Sequence, residues 1–158
     1  MKVLFVCSGN VFRSQIAEAF FSEYTKRNSS ASAGVDARNL RHAGRTLEEE
    51  CPLVVQLMAE EGIDLSKNRS KQLVRAAVDP ADVIISLTSI DDLPSYLKKV
   101  KGLRVWHVSD LEPPDSSKLS QPVSAWTRET VGEANYRFFR ERRDQIKTRV
   151  MELIEEVG

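Results

Sequence analysis

The chain has 158 residues, 41% of them apolar and 29% charged, which is typical of one globular domain with its own hydrophobic core. Its 23 basic and 23 acidic residues cancel, so net charge gives no reason to expect a nucleic-acid or membrane partner. No apolar run reaches the roughly 20 residues of a membrane helix, and the first residues do not form a secretory signal. We therefore expect a cytoplasmic protein.

The hydrophobic pattern predicts strands that alternate with helices. In chain order it predicts a buried strand at 2–6, a helix at 15–27 capped by Ser14, a strand at 30–34, a helix at 52–61, a strand at 82–87, a short helix at 90–99, a strand at 103–108 and a last helix at about 131–157. We predict one α/β domain over residues 1–158, with a four-stranded parallel sheet flanked by helices on both faces. Ligands bind such sheets beyond the carboxyl ends of the strands.

Residues 7–14, CSGNVFRS, join the first strand to the first helix and are called the Cys7 loop below. Their backbone N–H groups and the helix dipole would converge on a phosphate-sized dianion. Gly9 and Asn10 tolerate the positive φ of a tight turn, and Arg13 can contact two phosphate oxygens. Helix N-termini and cations favour a thiolate over a thiol. We therefore expect Cys7 to be a nucleophile. The chain has one other cysteine, Cys51, and the two make no disulfide framework in a reducing compartment.

Several segments resemble the low-molecular-weight protein tyrosine phosphatases and the related thioredoxin-coupled arsenate reductases. They are VLFVCSGNVFRSQIAEAFF, SAG at 32–34, EGIDLSKNRSKQL at 61–73, ADVIISL at 81–87 and FRERRDQIKTRV near the end. The resemblance implies a hydrolase of phosphotyrosine proteins or small aryl phosphates, without a cofactor, that forms a phosphocysteine and releases inorganic phosphate. It assigns nucleophilic attack to Cys7 and phosphate binding to Arg13. The other residues that it places against the substrate are Ser8, Gly9, Asn10, Val11, Phe12 and Ser14, with Ser14 stabilising the thiolate and Asn10 bonded to Ser32.

The family's general acid is an Asp, usually followed by Pro, in the loop after the fourth strand. Asp110 lies four residues after Trp106, a spacing that resembles the family's. Leu111 stands where the Pro is expected, so this sequence departs from the pattern. Asp110 is the preferred acid, and Asp115 and Glu112 are the alternatives.

Two other functions compete with hydrolysis. Arsenate reductases of this fold need two further cysteines after the third strand, but residues 88–94 contain none, and Cys51 is interpreted as a packed helix-start residue. A glutathione-dependent reductase stays open. A phosphocysteine relay domain is the other alternative, against which Arg13 and the acidic loop favour hydrolysis. His42, interpreted as a surface residue, and His107, interpreted as a strand-end packing residue, lack metal-ligand spacing, so no metal is expected.

Overall fold

The computed structural model describes residues 1–108 and 112–158. Its centre is a parallel sheet in the order β2-β1-β3-β4, which confirms the predicted four-stranded α/β architecture. The strands are β1 (Lys2–Cys7), β2 (Ser29–Gly34), β3 (Val83–Ser86) and β4 (Leu103–Val105). Cys7 pairs with Gly34 in the register of β1 and β2. The site residues of β1 therefore lie at the carboxyl edge of the sheet.

Helices cover both faces of the sheet. They are α1 (Arg13–Tyr24), α2 (Leu47–Glu50), α3 (Pro52–Ala59), α4 (Arg75–Val78), α5 (Ser95–Lys98), α6 (Arg128–Val131) and α7 (Glu133–Val157). Short 3₁₀ turns cover residues 90–92, 116–119 and 123–125. Among the described residues, no helix combines the length and the apolar character that crossing a membrane requires.

The alternation of side chains along β1 divides the core into two parts. Val3, Phe5 and Cys7 belong to the larger part, together with buried residues of α1, α3 and α7, whereas Leu4 and Val6 belong to the smaller part, with residues of α4 and α5. Successive side chains of a strand point to opposite faces. β1 is therefore apolar from Val3 to Cys7 because both of its faces are covered.

Several predicted boundaries differ from the structure, among them the end of β4 at Val105 rather than 108. α1 begins at Arg13 rather than after Ser14, because the Ser14 hydroxyl is bonded to the Cys7 loop rather than to the helix backbone. The helix predicted at 90–99 is divided at Pro94, which disfavours helical backbone before it and lacks an N–H group. The last helix is divided at Gly132, whose φ is 83°.

An ion cluster joins the end of α3 to α7. Glu60 accepts hydrogen bonds from Arg140 at 3.0 Å, from Tyr136 at 2.7 Å and from Arg143 at 2.7 Å. The hydrogen bond from Arg140 has the largest effect on the pKa of Glu60, and those from Tyr136 and Arg143 lower it further. The pKa of Glu60 is lowered to about 2. A lowered pKa means that the carboxylate stabilises the fold above its unfolded pKa, and that this contribution is lost as the pH falls toward about 2.

Glu60→Gln is therefore expected to lower the free energy of unfolding at pH 7 by about 1–2 kcal/mol, after a discount for the partial solvation of this carboxylate. The deficit relative to wild type should shrink between pH 5 and pH 2, roughly the interval between the unfolded and folded pKa values. Urea unfolding over this range measures it. Glu156→Gln, which removes an exposed pair with Arg104, is the matched control. A deficit that does not change with pH would contradict this role of Glu60.

Candidate active site

The Cys7 loop holds the Cys7 sulfur at the carboxyl end of β1. Cys7 is 3% exposed, and its Sγ lies 2.9 Å from the Ser14 Oγ and accepts a bond from the Asn10 N–H at 3.3 Å. The Ser14 Oγ itself accepts from the Asn10 Nδ2 at 2.8 Å, which leaves the serine hydrogen available to the sulfur. The Cys7 sulfur therefore has two hydrogen-bond partners within its own loop, the Ser14 hydroxyl and the Asn10 N–H.

Asn10 holds the shape of the loop. It is fully buried and has a φ of 57°, a conformation that Asn tolerates better than most residues. Its Nδ2 donates to the Ser32 Oγ at 3.0 Å, the hydrogen bond that the family resemblance implied. Its Oδ1 accepts from the Lys71 N–H at 2.8 Å and from Gln15 at 3.0 Å. Sequence reasoning missed Gln15, which is buried and bonded to this network.

Two glycines bear on the shape of the site, Gly9 within the Cys7 loop and Gly34 on β2. Of the two residues expected to tolerate a positive φ, Asn10 adopts one and Gly9 does not. A Cβ on Gly34 would lie 2.6 Å from the Ser8 carbonyl oxygen and 2.8 Å from the Asn10 nitrogen. The backbone of the loop therefore rests directly on β2, which only glycine permits.

Several backbone N–H groups of the Cys7 loop have no hydrogen-bond partner among the described residues. Within the described residues, no hydrogen bond is made by the backbone N–H groups of Ser8, Gly9, Val11 and Phe12. Phe12 precedes α1, a helix of 12 residues, and has no side-chain cap bond. Unpaired N–H groups at a helix N-terminus are a ready anion site. Arg13 begins the helix and donates to the carbonyl of Leu87, the residue that follows β3.

Phe12 anchors the loop to α7. Its ring lies 5.7 Å from the ring of Phe139, which is also 5.7 Å from that of Trp126. The Phe12 side chain is therefore partly buried against the core. The Ser8 hydroxyl lies 3.4 Å from that of Thr88.

The structure describes two of the three candidate general acids. Asp110 lies outside the described residues. Glu112 is exposed. Asp115 is anchored by buried Asn135, which accepts from its N–H at 3.0 Å and donates to its carbonyl at 2.7 Å, and its carboxylate accepts from the Ser117 hydroxyl. Asp115 is therefore already bonded at the start of a 3₁₀ turn, and sequence reasoning missed Asn135 as the anchor of this loop.

Both histidines depart from expectation. His107 is exposed rather than packed, because β4 ends at Val105, two residues before it. The His42 side chain is only 18% exposed, and its Nδ1 lies 2.7 Å from the Glu50 Oε2, so it is not a free surface residue. In the described part of the chain, no group of His, Cys, Asp and Glu side chains is arranged to hold a metal ion.

Cys51 is a packed thiol at the start of α3, as predicted. It is 1% exposed and precedes Pro52, and burial raises its pKa to about 11. We expect iodoacetamide at pH 7 to modify Cys7, which lies in the anion-binding loop, and to leave Cys51 intact, because a thiol with a pKa of about 11 stays neutral and inert at that pH. Peptide mass mapping measures this, with urea-unfolded protein as the control in which both react. Equal rates for both cysteines in the folded protein would contradict the assignment.

Known proteins resemble this chain in sequence. The family described as low molecular weight phosphotyrosine protein phosphatase matches residues 2–158. A probable low molecular weight protein-tyrosine-phosphatase EpsP from Ralstonia solanacearum is 36% identical over 83 residues, 52% of each chain, so this chain spans about half the length of the first curated relatives it matches. A glutaredoxin arsenate reductase from Synechocystis sp. is 29% identical over 99% of this chain and 98% of its own.

Solved structures show the same fold. The low molecular weight protein tyrosine phosphatase from T. tengcongensis has a TM-score of 0.65 at 24% identity, with 99% of both chains covered. An arsenate reductase in the phosphate binding state has a TM-score of 0.64 at 28% identity, covering 99% of this chain and 98% of its own. The fold, the Cys7 loop and the match over residues 2–158 lead to one conclusion. The chain belongs to the low molecular weight phosphotyrosine protein phosphatase family.

Proposed function

We propose that this protein is a phosphomonoester hydrolase that works through a phosphocysteine at Cys7. The observation that carries the proposal is the Cys7 sulfur, held by Ser14 at 2.9 Å and by the Asn10 amide at 3.3 Å inside a loop with unpaired N–H groups. A thiolate beside anion-binding amides is the arrangement that nucleophilic attack on a phosphate ester requires. Because a thiol nucleophile must stay reduced, we expect the protein to act in the cytoplasm.

The reaction has two steps. In the first, the Cys7 thiolate attacks phosphorus, the S–P bond forms, and the P–O bond to the leaving group breaks as Asp110 gives that oxygen a proton. In the second, water attacks the phosphocysteine and gives its proton to the Asp110 carboxylate. The S–P bond then breaks, which releases inorganic phosphate and restores the thiolate. Arg13 and the loop amides bind the equatorial oxygens in both steps, the amides being those of Ser8, Gly9, Val11, Phe12 and Ser14, whereas the Asn10 N–H is directed at the Cys7 sulfur.

We propose phosphotyrosine in a protein, or a small aryl phosphate, as the substrate. Family membership supports this class, as does Leu40, whose side chain is 50% exposed and whose Cδ1 lies 3.5 Å from the position of a Cβ on Gly9. An exposed apolar side chain beside the anion site offers a surface for an aromatic ring.

Arsenate reduction is the second candidate, favoured by the near full-length similarity to a glutaredoxin arsenate reductase. It needs two electrons from thiols. The sequence has two cysteines, and the second one, Cys51, is buried with a raised pKa. The electrons would therefore have to come from an external thiol such as glutathione. Hydrolysis needs only water, and we prefer it for that reason.

Two assays run on the same preparation distinguish these functions. Phosphate release from p-nitrophenyl phosphate and from a phosphotyrosine peptide tests hydrolysis, with vanadate as a competitive inhibitor. NADPH consumption with arsenate, glutathione, glutaredoxin and glutathione reductase tests reduction. We expect vanadate-sensitive hydrolysis and no arsenate-dependent NADPH consumption. Arsenate reduction without ester hydrolysis would overturn the proposal.

A further inference from the structure

A histidine–carboxylate pair lies against the Cys7 loop and has no role in the reaction described above. The His42 Nδ1 is 2.7 Å from the Glu50 Oε2, and the two side chains are 18% and 9% exposed. Glu50 also pairs with the Arg45 guanidinium. A histidine bonded through one ring nitrogen to a buried carboxylate has a fixed ring orientation. The ring of His42 is therefore rigidly placed.

The fixed ring lies over Gly9. A Cβ built on Gly9 would be 3.1 Å from the His42 Cδ2 and 3.6 Å from its Nε2, with only side-chain atoms of His42 and Leu40 as its nearest neighbours. Gly9 does not have a positive φ, so its backbone conformation does not by itself demand glycine. The ring of His42 occupies the space that a side chain at residue 9 would need.

A second contact holds Gly9 from its carbonyl side. The Ser70 hydroxyl donates to the Gly9 carbonyl at 2.7 Å. Ser70 is itself bonded to the segment that carries His42, since its carbonyl accepts from the Gly44 N–H at 2.8 Å and its N–H donates to the Arg45 carbonyl at 3.0 Å. Gly9 is thus held between the His42 ring and Ser70, while its own N–H is unpaired among the described residues.

We propose that His42, oriented by Glu50, is a positioning residue for the anion site, and that its ring keeps the Gly9 N–H in place for the phosphoryl group. The inference rests on the proposed function, to which it adds a residue outside the Cys7 loop. Small displacements of a binding group weaken anion binding and catalysis together. Loss of the ring should therefore affect phosphate affinity as well as turnover.

A double-mutant cycle tests the contact. We expect His42→Ala and Gly9→Ala each to raise the dissociation constant of inorganic phosphate about tenfold, and kcat/KM to fall in parallel. The double variant should also lose about tenfold rather than a hundredfold, because the methyl group at residue 9 enters the space that the ring vacated. Phosphate affinity is measured as protection of Cys7 from iodoacetamide, which requires no turnover. Glu48→Gln is the control and should bind phosphate normally. Glu48 lies on α2, as Glu50 does, but it forms an exposed pair with Lys67.

Three outcomes would overturn the inference. They are unchanged phosphate affinity in a folded His42→Ala variant, independent losses that multiply in the double variant, and wild-type affinity in His42→Asn. The last variant keeps an amide donor for Glu50 without the ring, so it also serves if His42→Ala does not fold, and we expect it to show the same tenfold loss. A protein that binds phosphate normally but hydrolyses no ester would overturn the proposed hydrolase and leave this test of His42 valid.

Discussion

Cys7→Ser is expected to reduce turnover of p-nitrophenyl phosphate to background, a loss of roughly 10⁵-fold or more, as for other removed nucleophiles. A serine hydroxyl in the same position is not ionised at neutral pH, so the first step has no nucleophile. The fold should persist, because the change replaces one small side chain by another. Phosphate binding and the thermal unfolding temperature should therefore stay close to the wild-type values while kcat collapses.

Cys51→Ala is the matched control for this variant. Cys51 is buried in the core beside α3, and its truncation should lower stability slightly while kcat stays within about twofold, since it has no place in the chemistry. If Cys7→Ser keeps more than about a thousandth of wild-type turnover, covalent catalysis at Cys7 is wrong.

Asp110→Asn is expected to slow hydrolysis of a phosphotyrosine peptide by about 10²–10⁴-fold, the usual value of a positioned proton donor. The effect on p-nitrophenyl phosphate should be much smaller, because p-nitrophenol is a good leaving group that needs little protonation. The diagnostic quantity is therefore the ratio of the two losses in kcat, measured side by side.

Asp115→Asn is the control, because the Asp115 carboxylate already accepts from Ser117. It should show no dependence on the leaving group. A silent Asp110→Asn with a leaving-group effect in Asp115→Asn would place the acid five residues further along the loop. The same effect in Glu112→Gln alone would assign it to Glu112, and both results would contradict Asp110.

The parts of the fold that the sequence predicts are those encoded by local patterns. β1 is recognisable because a strand buried on both faces is a continuous apolar run. The Cys7 loop is recognisable because its residue types suit an anion-binding turn before a helix, and the positive φ of Asn10 agrees with that. Family resemblance supplied the Asn10–Ser32 bond, which spacing alone does not reveal.

The parts that sequence reasoning missed depend on contacts between distant residues. The ring of His42 over Gly9 is one, since a loop histidine gives no local sign of being held by Glu50. The anchoring of Asp115 by Asn135 is another, because the two are 20 residues apart. Such contacts form only when the whole chain folds, so neither periodicity nor turn chemistry predicts them.

The most direct test of the phosphocysteine mechanism is to trap the intermediate. The protein is mixed rapidly with excess p-nitrophenyl phosphate, quenched in acid within the first turnover and mapped by peptide mass spectrometry. We predict one phosphoryl group per chain on Cys7, formed with a stoichiometric burst of p-nitrophenol and then converted to inorganic phosphate. A phosphoryl group on Cys7 that persists without phosphate release would indicate a relay domain, and continued turnover with no phosphoryl group on Cys7 would contradict the mechanism.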